Sequence, residues 1–229
     1  MILTKSSGFT FTIERAGIYQ QLSNYIHWYN IRVTGYTQVS DQVINGLMAE
    51  QSSNCIFERL EVDNNGGGLN IRFDAKNNLI KNCDFHDNKD PLSDVPYGNA
   101  DGLDVGADMN GPVGSISSDN IVTGCRAWNN SDDGFDFWEA RGYNSIDSCW
   151  SWHNGFINGG TTLVGNGVGF KLGSSGSFSG LGRKVTRCIA YDNGTDGFHQ
   201  NEAVCQMQLY NNFTYANGIW GWKMDYQTV

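Results

Sequence analysis

The sequence lacks a long apolar run, a zinc-type cysteine spacing and an excess of basic residues. It contains no stretch of 18 or more consecutive apolar residues, so no segment is a candidate transmembrane helix. Its six cysteines include no Cys-x-x-Cys pair, the spacing typical of structural zinc sites. Its 15 basic and 24 acidic residues give a net charge of −9, which argues against nucleic acid as a partner because phosphate binding needs a basic surface.

A repeat runs through most of the chain. Six segments share an apolar residue, a second position three residues later, an Asn five residues beyond that, and a closing Gly followed by a large apolar residue. The apolar column contains Phe57, Ile80, Val122, Ile146, Val185 and Leu209, and the second column contains Leu60, Cys83, Cys125, Cys149, Cys188 and Asn212. Where no loop intervenes, the second column recurs every 23 or 24 residues, a period typical of solenoids.

The repeat favours short strands over helices. Leucine-rich repeats have a similar period but need a Leu-x-x-Leu-x-Leu pattern, whereas here short apolar alternations are separated by Asn and Gly. We interpret Asn and Gly as turn residues, because both tolerate left-handed backbone angles. Stacked coils of two or three strands would form long parallel sheets. The sequence therefore predicts an all-β, right-handed parallel β-helix.

The number of coils follows from the repeat. The segment 25–49 is interpreted as a degraded earlier coil, with Trp28, Ile31 and Val33 pointing inward, which gives about seven coils in one domain over residues 1–229. Because solenoid ends need protection from edge association, we expect either that the chain is truncated at both ends or that its ends are covered. The cover would be a partner or the irregular segment 1–23.

Four cysteines, Cys83, Cys125, Cys149 and Cys188, fall in one inward column. Their Cβ vectors would run parallel in a stack, a geometry unsuited to disulfides. We therefore expect a ladder of buried free thiols.

Acidic residues flank the Gly-apolar pair in two consecutive coils. Because strand side chains alternate in direction, Asp101, Asp104, Asp133 and Asp136 are predicted to face solvent from one sheet, with Asp132 beside them at the turn. Carboxylates this close repel one another unless a cation lies between them. The pattern favours a Ca²⁺ site, since Ca²⁺ takes six to eight oxygen ligands. A solvated acidic face or a structural ion is the alternative.

Lys171 occupies the same outward column one coil further along. It is either a neutralising salt-bridge partner or a Brønsted base beside a cation, and the sequence leaves the net direction of its pKa shift open. The Gly- and Ser-rich insertions 89–119 and 155–182 flank this face, and we expect them to wall a groove for an extended ligand.

Taken together, these motifs resemble polysaccharide lyase family nine, which includes pectate lyases and rhamnogalacturonan lyases. The resemblance covers about residues 50–220 and is carried by four segments, residues 99–102, 125–136, 151–155 and 165–173, with 35 positions from Asp136 to Lys171. It implies a right-handed parallel β-helix and a Ca²⁺-dependent enzyme. It also implies Asp101, Asp132, Asp133 and Asp136 as the metal ligands and Lys171 as the catalytic base.

The resemblance further implies a substrate and a reaction. The substrate is an acidic, galacturonate-containing pectic polymer of the plant cell wall, cleaved by β-elimination after Lys171 removes the C5 proton. Such a substrate implies a secreted or periplasmic location, although the N-terminus shows no basic-then-apolar signal segment. Asp104 stands where the family motif carries a small or apolar residue, so it is either an extra ligand or a substrate contact. We expect Asp104 and His199 to contact substrate.

Two other functions stay open. Asp101 with the Asp132-Asp133 pair superficially resembles the carboxylates of β-helical polygalacturonases, which hydrolyse their substrate, but the Gly-His-Gly and Arg-x-Lys segments of those enzymes are absent. A non-catalytic carbohydrate-binding or structural β-helix is the other alternative. The sequence does not distinguish a homogalacturonan backbone from a rhamnogalacturonan backbone.

Overall fold

The structure is a computed structural model that describes residues 2–4, 16–157, 159–174 and 177–225. The first strands are β1 (Ile2–Thr4), β2 (Ala16–Gln21), β3 (His27–Tyr29), β4 (Arg32–Thr34), β5 (Asn45–Glu50), β6 (Ile56–Glu58), β7 (Glu61–Asp63), β8 (Gly67–Arg72), β9 (Leu79–Lys81), β10 (Asp84–His86), β11 (Leu103–Gly106) and β12 (Asn120–Thr123). The remaining strands are β13 (Arg126–Trp128), β14 (Phe135–Asp136), β15 (Asn144–Asp147), β16 (Trp150–Trp152), β17 (Phe170–Lys171), β18 (Ser177–Thr186), β19 (Ile189–Tyr191), β20 (Asp196–His199), β21 (Val204–Tyr210), β22 (Phe213–Tyr215) and β23 (Trp220–Lys223). Within the described residues, one 3₁₀ turn spans Asp108–Asn110, and no helix has the length and apolar character of a membrane span.

The strands stack into three parallel sheets, as expected of a right-handed parallel β-helix. Sheet A contains β1, β4, β7, β10, β13, β16, β19 and β22, and sheet B contains β2, β5, β8, β11, β14, β17, β20 and β23. Sheet C contains β3, β6, β9, β12, β15, β18 and β21. One turn of the chain visits sheets C, A and B in that order and forms one rung of the solenoid. The predicted fold class is therefore confirmed.

The repeat columns are the core of the solenoid. Strand register places the apolar column from Phe57 to Leu209 in one continuous row of sheet C. In sheet B, the buried rings of Phe135, Phe170 and Phe198 stack with centroids 4.8 Å apart. All six cysteines are buried and free, so the predicted thiol ladder is confirmed.

The Asn column has a different role from the one predicted. The left-handed bends fall one residue earlier, at positions such as Asn64, Asp87 and Asn129, and each column Asn then points inward. There Asn88 Nδ2 donates to Asn130 Oδ1 at 2.8 Å, and the same bond links Asn65, Asn88, Asn130, Asn154, Asn193 and Asn217 into one buried ladder. The amide ladder satisfies backbone carbonyls at each corner as well as joining the rungs.

The solenoid has one more rung than predicted. Sheets A and B each contain eight strands, because β1 and β2 extend them within the segment interpreted as irregular. The predicted degraded coil at residues 25–49 is confirmed, because Val33 and Leu47 are buried and Trp28 packs against the core.

Candidate active site

The acidic residues predicted from the repeat lie on adjacent rungs of sheet B. Asp104 in β11 is in register with Asp136 in β14, and Asp136 is in register with Lys171 in β17. Asp101 and Asp133 precede the first two of these strands. One carboxylate oxygen from each of Asp101, Asp133 and Asp136 lies within 4.8 Å of the other two. The prediction that these distant residues become neighbours is therefore confirmed.

Glycines between the aspartates make this arrangement possible. A side chain at Gly134 would overlap Ser151 Oγ and approach Asn154 Nδ2 to 2.8 Å, and one at Gly102 would lie 2.6 Å from the carbonyl oxygen of Gly134. The backbone at both positions therefore packs directly against the inward residues and the next rung. This close packing turns the flanking carboxylates to the outer side of sheet B.

Asp101, Asp133 and Asp136 are buried, contrary to the prediction that they face solvent, whereas Asp104 is half-buried. Asp133 is fully buried, and Asp101, Asp132 and Asp136 are at least nine-tenths buried. The insertion that precedes β17 covers them: Asn166 N donates to Asp132 Oδ1 at 2.6 Å, and Val168 N donates to Asp133 Oδ1 at 2.7 Å. The interpretation as a solvated acidic face is therefore wrong.

Burial and mutual repulsion raise the pKa of Asp101, Asp104, Asp132 and Asp136. Burial, followed by the charge of Asp136, raises the pKa of Asp104 to about 8. Burial also raises the pKa of Asp136 to about 6, even though the ammonium of Lys171 opposes the shift. Burial and the neighbouring carboxylates raise the pKa of Asp101 and Asp132 well above the usual range. The site therefore holds its negative charge at a cost in folding free energy.

Lys171 is the counter-ion of the cluster. Its Nζ lies 2.9 Å from Asp136 Oδ2 and 3.1 Å from Asp133 Oδ2. Burial favours the neutral amine, but the carboxylates of Asp136, Asp133, Asp101 and Asp132 outweigh it and raise the pKa of Lys171 well above its ordinary value. The sequence left open whether the pKa of Lys171 is raised or lowered. It is raised as long as these carboxylates are charged and no cation neutralises them.

The donor set fits a hard divalent cation. Carboxylate oxygens are the ligands that Ca²⁺ prefers, and the cluster supplies several within one coordination distance of each other. Asp136 Oδ1 is buried without a hydrogen-bond partner. One lysine does not balance four buried aspartates, so an additional positive charge would stabilise the site.

The cluster lies at the floor of a groove along sheet B. A cavity of about 750 Å³ is lined by Asn70, Asp101, Asp104, Trp138 and Lys171 among others. A second cavity of about 410 Å³ shares Trp138 and Lys171 with the first and continues along the same sheet. Both predicted insertions contribute to the walls, and so does the segment 41–48, which sequence reasoning missed.

His199 lies in the second cavity, next to Lys171 in strand register. Its Nε2 is 3.0 Å from Asp225 Oδ2, and its Nδ1 is 3.4 Å from Asp196 Oδ2. Asp104 lies in the first cavity, so the two residues predicted to contact substrate are on either side of Lys171. Their contact with substrate stays a prediction.

Sequence reasoning also missed a buried cation behind the groove. Arg183 is fully buried, and its guanidinium donates to the carbonyl oxygens of Gly142 and Ala140 at 2.8 Å each. It thereby holds the turn that follows Asp136 and carries Trp138. Arg183 is in register with Asn144 and, through it, with Asn120, and these two asparagines form a second buried amide ladder. Aligning residue 183 with them would have predicted that its side chain points inward.

Comparison with known proteins identifies the family. A family profile described as "Pel9A-like, right handed beta helix region" matches residues 4–228. The chain belongs to this family. Among Pel9A-like relatives, pectate lyase L of Dickeya chrysanthemi is 35% identical over 158 residues, which make up 68% of this chain and 34% of that protein.

Two solved structures are similar over nearly the whole chain. A rhamnogalacturonan lyase matches with a TM-score of 0.79 and 26% identity, over 93% of this chain and 53% of that one. Pectate lyase Pel9A matches with a TM-score of 0.68 and 26% identity, over 95% of this chain and 60% of that one. The chain thus spans about a third of the curated relative and 53–60% of the two solved structures.

Proposed function

We propose that this chain is a Ca²⁺-dependent polysaccharide lyase that cleaves a galacturonate-containing pectic polymer by β-elimination. The observation that carries the proposal is Lys171 Nζ, held within 3.1 Å of two buried aspartates in the middle of an open groove. The charge around this lysine is negative, and a cation bound by the same aspartates would offset it. The names of the relatives, pectate lyases and a rhamnogalacturonan lyase, support the reaction class.

The residues that would hold Ca²⁺ are Asp101, Asp132, Asp133 and Asp136. When bound, Ca²⁺ supplies positive charge that offsets both the uronate carboxylate of the substrate and the negative charge that develops on it as the C5 proton leaves. The same carboxylates hold Lys171 protonated, so neutralising them removes the interaction that raises its pKa. Lys171 then becomes available as a free amine.

Lys171 acts as the general base in this proposal. Its Nζ lone pair takes the C5 proton, the C5–H electron pair forms the C4=C5 double bond, and the C4–O bond breaks. The leaving glycosidic oxygen takes a proton from solvent, and the new non-reducing end is an unsaturated uronate. Asp104 and His199 lie on either side of Lys171 in the groove, where we propose that they contact neighbouring sugar residues.

A rhamnogalacturonan lyase is the second candidate, because the solved structure with a TM-score of 0.79 acts on that class of polymer by its name. Inverting hydrolysis is disfavoured by geometry. One carboxylate oxygen from each of Asp101, Asp133 and Asp136 lies within 4.8 Å of the other two, closer than the roughly 6.5–9.5 Å between the carboxyl groups of inverting hydrolases. Since pectic polymers lie in the plant cell wall, we infer a secreted or periplasmic location.

The test compares the parent protein with Lys171→Ala on polygalacturonate and on a rhamnogalacturonan, with Ca²⁺ or with chelator. We expect unsaturated product, measured by its ultraviolet absorbance, from the parent with Ca²⁺ on one of the two polymers only. Reducing ends that appear in chelator without unsaturation would indicate hydrolysis. Polymer binding without any cleavage would indicate the non-catalytic alternative. Unsaturated product from Lys171→Ala at the parent rate would refute the assignment of the base.

A further inference from the structure

Three oxygens beside the proposed calcium site have no partner. Asn70 Oδ1, Asp104 Oδ1 and Asp136 Oδ1 are each buried without a hydrogen bond from any described residue. All three residues line the larger cavity of the groove, and Asn70 and Asp136 are more than nine-tenths buried. A buried oxygen without a donor is costly unless something else in the site satisfies it. The three residues lie on three consecutive rungs of sheet B.

Strand register fixes their relative positions. Asn70 in β8 is in register with Asp104 in β11, and Asp104 is in register with Asp136 in β14. The Asn70 amide is oriented by its Nδ2, which donates to Asp104 Oδ2 at 2.7 Å. Adjacent strands are about 4.8 Å apart, and Ca²⁺ binds oxygen at about 2.3–2.6 Å. A cation between two of these rungs is therefore within bonding distance of oxygens on both.

The charge of the region also exceeds what one cation balances. Asp101, Asp104, Asp132, Asp133 and Asp136 contribute five carboxylates, and Lys171 contributes one ammonium. Even with Lys171 counted as an ammonium, one divalent cation would leave two negative charges in a buried site; with Lys171 as a free amine it would leave three, and a second cation would leave one. The other cation lining the cavity, Arg72, pairs with Glu50 instead.

We propose that the chain binds a second divalent cation, of the Ca²⁺ class, between the rungs of Asn70 and Asp104, with Asn70 Oδ1 and Asp104 Oδ1 as its protein ligands. Carboxylate and amide oxygens are typical ligands of Ca²⁺, and carboxylates often bind in more than one mode. This inference rests on the proposed calcium site. It adds a second position at which a uronate carboxylate is held, beside Asp104, and so gives Asp104 its role in substrate binding.

The test is the stoichiometry of Ca²⁺ binding by the whole chain, measured by isothermal titration calorimetry after removal of divalent ions. We expect two Ca²⁺ per parent chain and one per Asp104→Asn chain, with the affinity of the remaining event unchanged. Asp41→Asn is the matched control, because it removes the same charge from an exposed residue in the same cavity and should leave two events. Asn70→Ala, which keeps the charge, should weaken one event only.

Two results would overturn the proposal. One is a parent stoichiometry of one at Ca²⁺ concentrations up to about 10 mM, roughly ten times the weakest dissociation constant of extracellular calcium modules. The other is one Ca²⁺-binding event in the parent and in every variant, with a lower affinity in Asp104→Asn. That result would make Asp104 an extra ligand of one ion. Neither result depends on lyase activity, so failure of this inference is distinguishable from failure of the proposed function.

Discussion

Replacing Lys171 by Ala tests whether this lysine supports the fold as well as the proposed chemistry. Its side chain is 12% exposed and pairs with the side chains of Asp133 and Asp136, which are 0% and 6% exposed. Removing one partner of a buried ion pair costs about 3–5 kcal/mol, because the other charges stay buried and unpaired. For a chain of this size, each kcal/mol lowers Tm by about 2–4 °C, so we expect a loss of roughly 10 °C in chelator at about pH 8.

The response to Ca²⁺ makes this prediction specific. A cation bound by the same carboxylates replaces the lost positive charge, so Ca²⁺ should raise the Tm of Lys171→Ala more than that of the parent. Lys223→Ala is the control, because Lys223 lies in the same column with a 38% exposed side chain 3.5 Å from Asp225, an exposed type of pair worth at most about 1 kcal/mol. Equal Tm values for parent and Lys171→Ala in chelator, measured by circular dichroism, would refute the reasoning.

Three further predictions concern the core and the groove. Asn130→Ala removes the acceptor for Asn88 and the donor to Phe85 O, so we expect the free energy of unfolding, measured with denaturant, to fall by about 4 kcal/mol. Asn217→Ala, at the last described rung, should lower it less. Equal decreases for the two variants would contradict the ladder. Because the folded-state pKa of Asp104 is raised from 3.8 to about 8, the folded chain binds more protons than the unfolded chain between those values. Stability in chelator should therefore fall from about pH 5 to about pH 8, and less steeply in Asp104→Asn; parallel pH profiles would show that Asp104 does not contribute. A thiol reagent should label none of the six buried cysteines in the native protein and all six in denaturant, whereas rapid native labelling would contradict the thiol ladder.

The repeat predicted which residues are neighbours because, in a stack of strands, residues one sequence period apart lie next to each other. Once Cys83, Cys125 and Cys149 are aligned, Asp101, Asp133 and Lys171 must follow on adjacent rungs, and the structure places them there. The Gly residues beside the aspartates mark positions of close backbone packing, which is a local property. These features depend on neighbouring rungs alone, so a single sequence contains them.

Other features depend on how loops fold back, which the repeat does not encode. Burial of Asp132 and Asp133 comes from hydrogen bonds with Asn166 and Val168, and an insertion of that length has many conformations that leave the carboxylates exposed. The rung built by β1 and β2 lacks the Cys and Asn columns, so it carried no repeat signal. Left-handed bends at Arg59, Ser148 and Arg187 were also unpredictable, because stacking imposes a backbone angle that these residues seldom adopt.

The position of the acidic cluster within the stack has a mechanical consequence. A solenoid frays from its ends, since each outermost unit is held by one neighbour rather than two. The carboxylates and Lys171 belong to the fourth, fifth and sixth of the eight rungs, and at least two rungs separate them from either end of the described stack. In this 229-residue chain, amide hydrogens of β11, β14 and β17, which pair with a strand on each side, should therefore exchange with solvent more slowly than those of β2 and β23, which pair on one side only in the described stack.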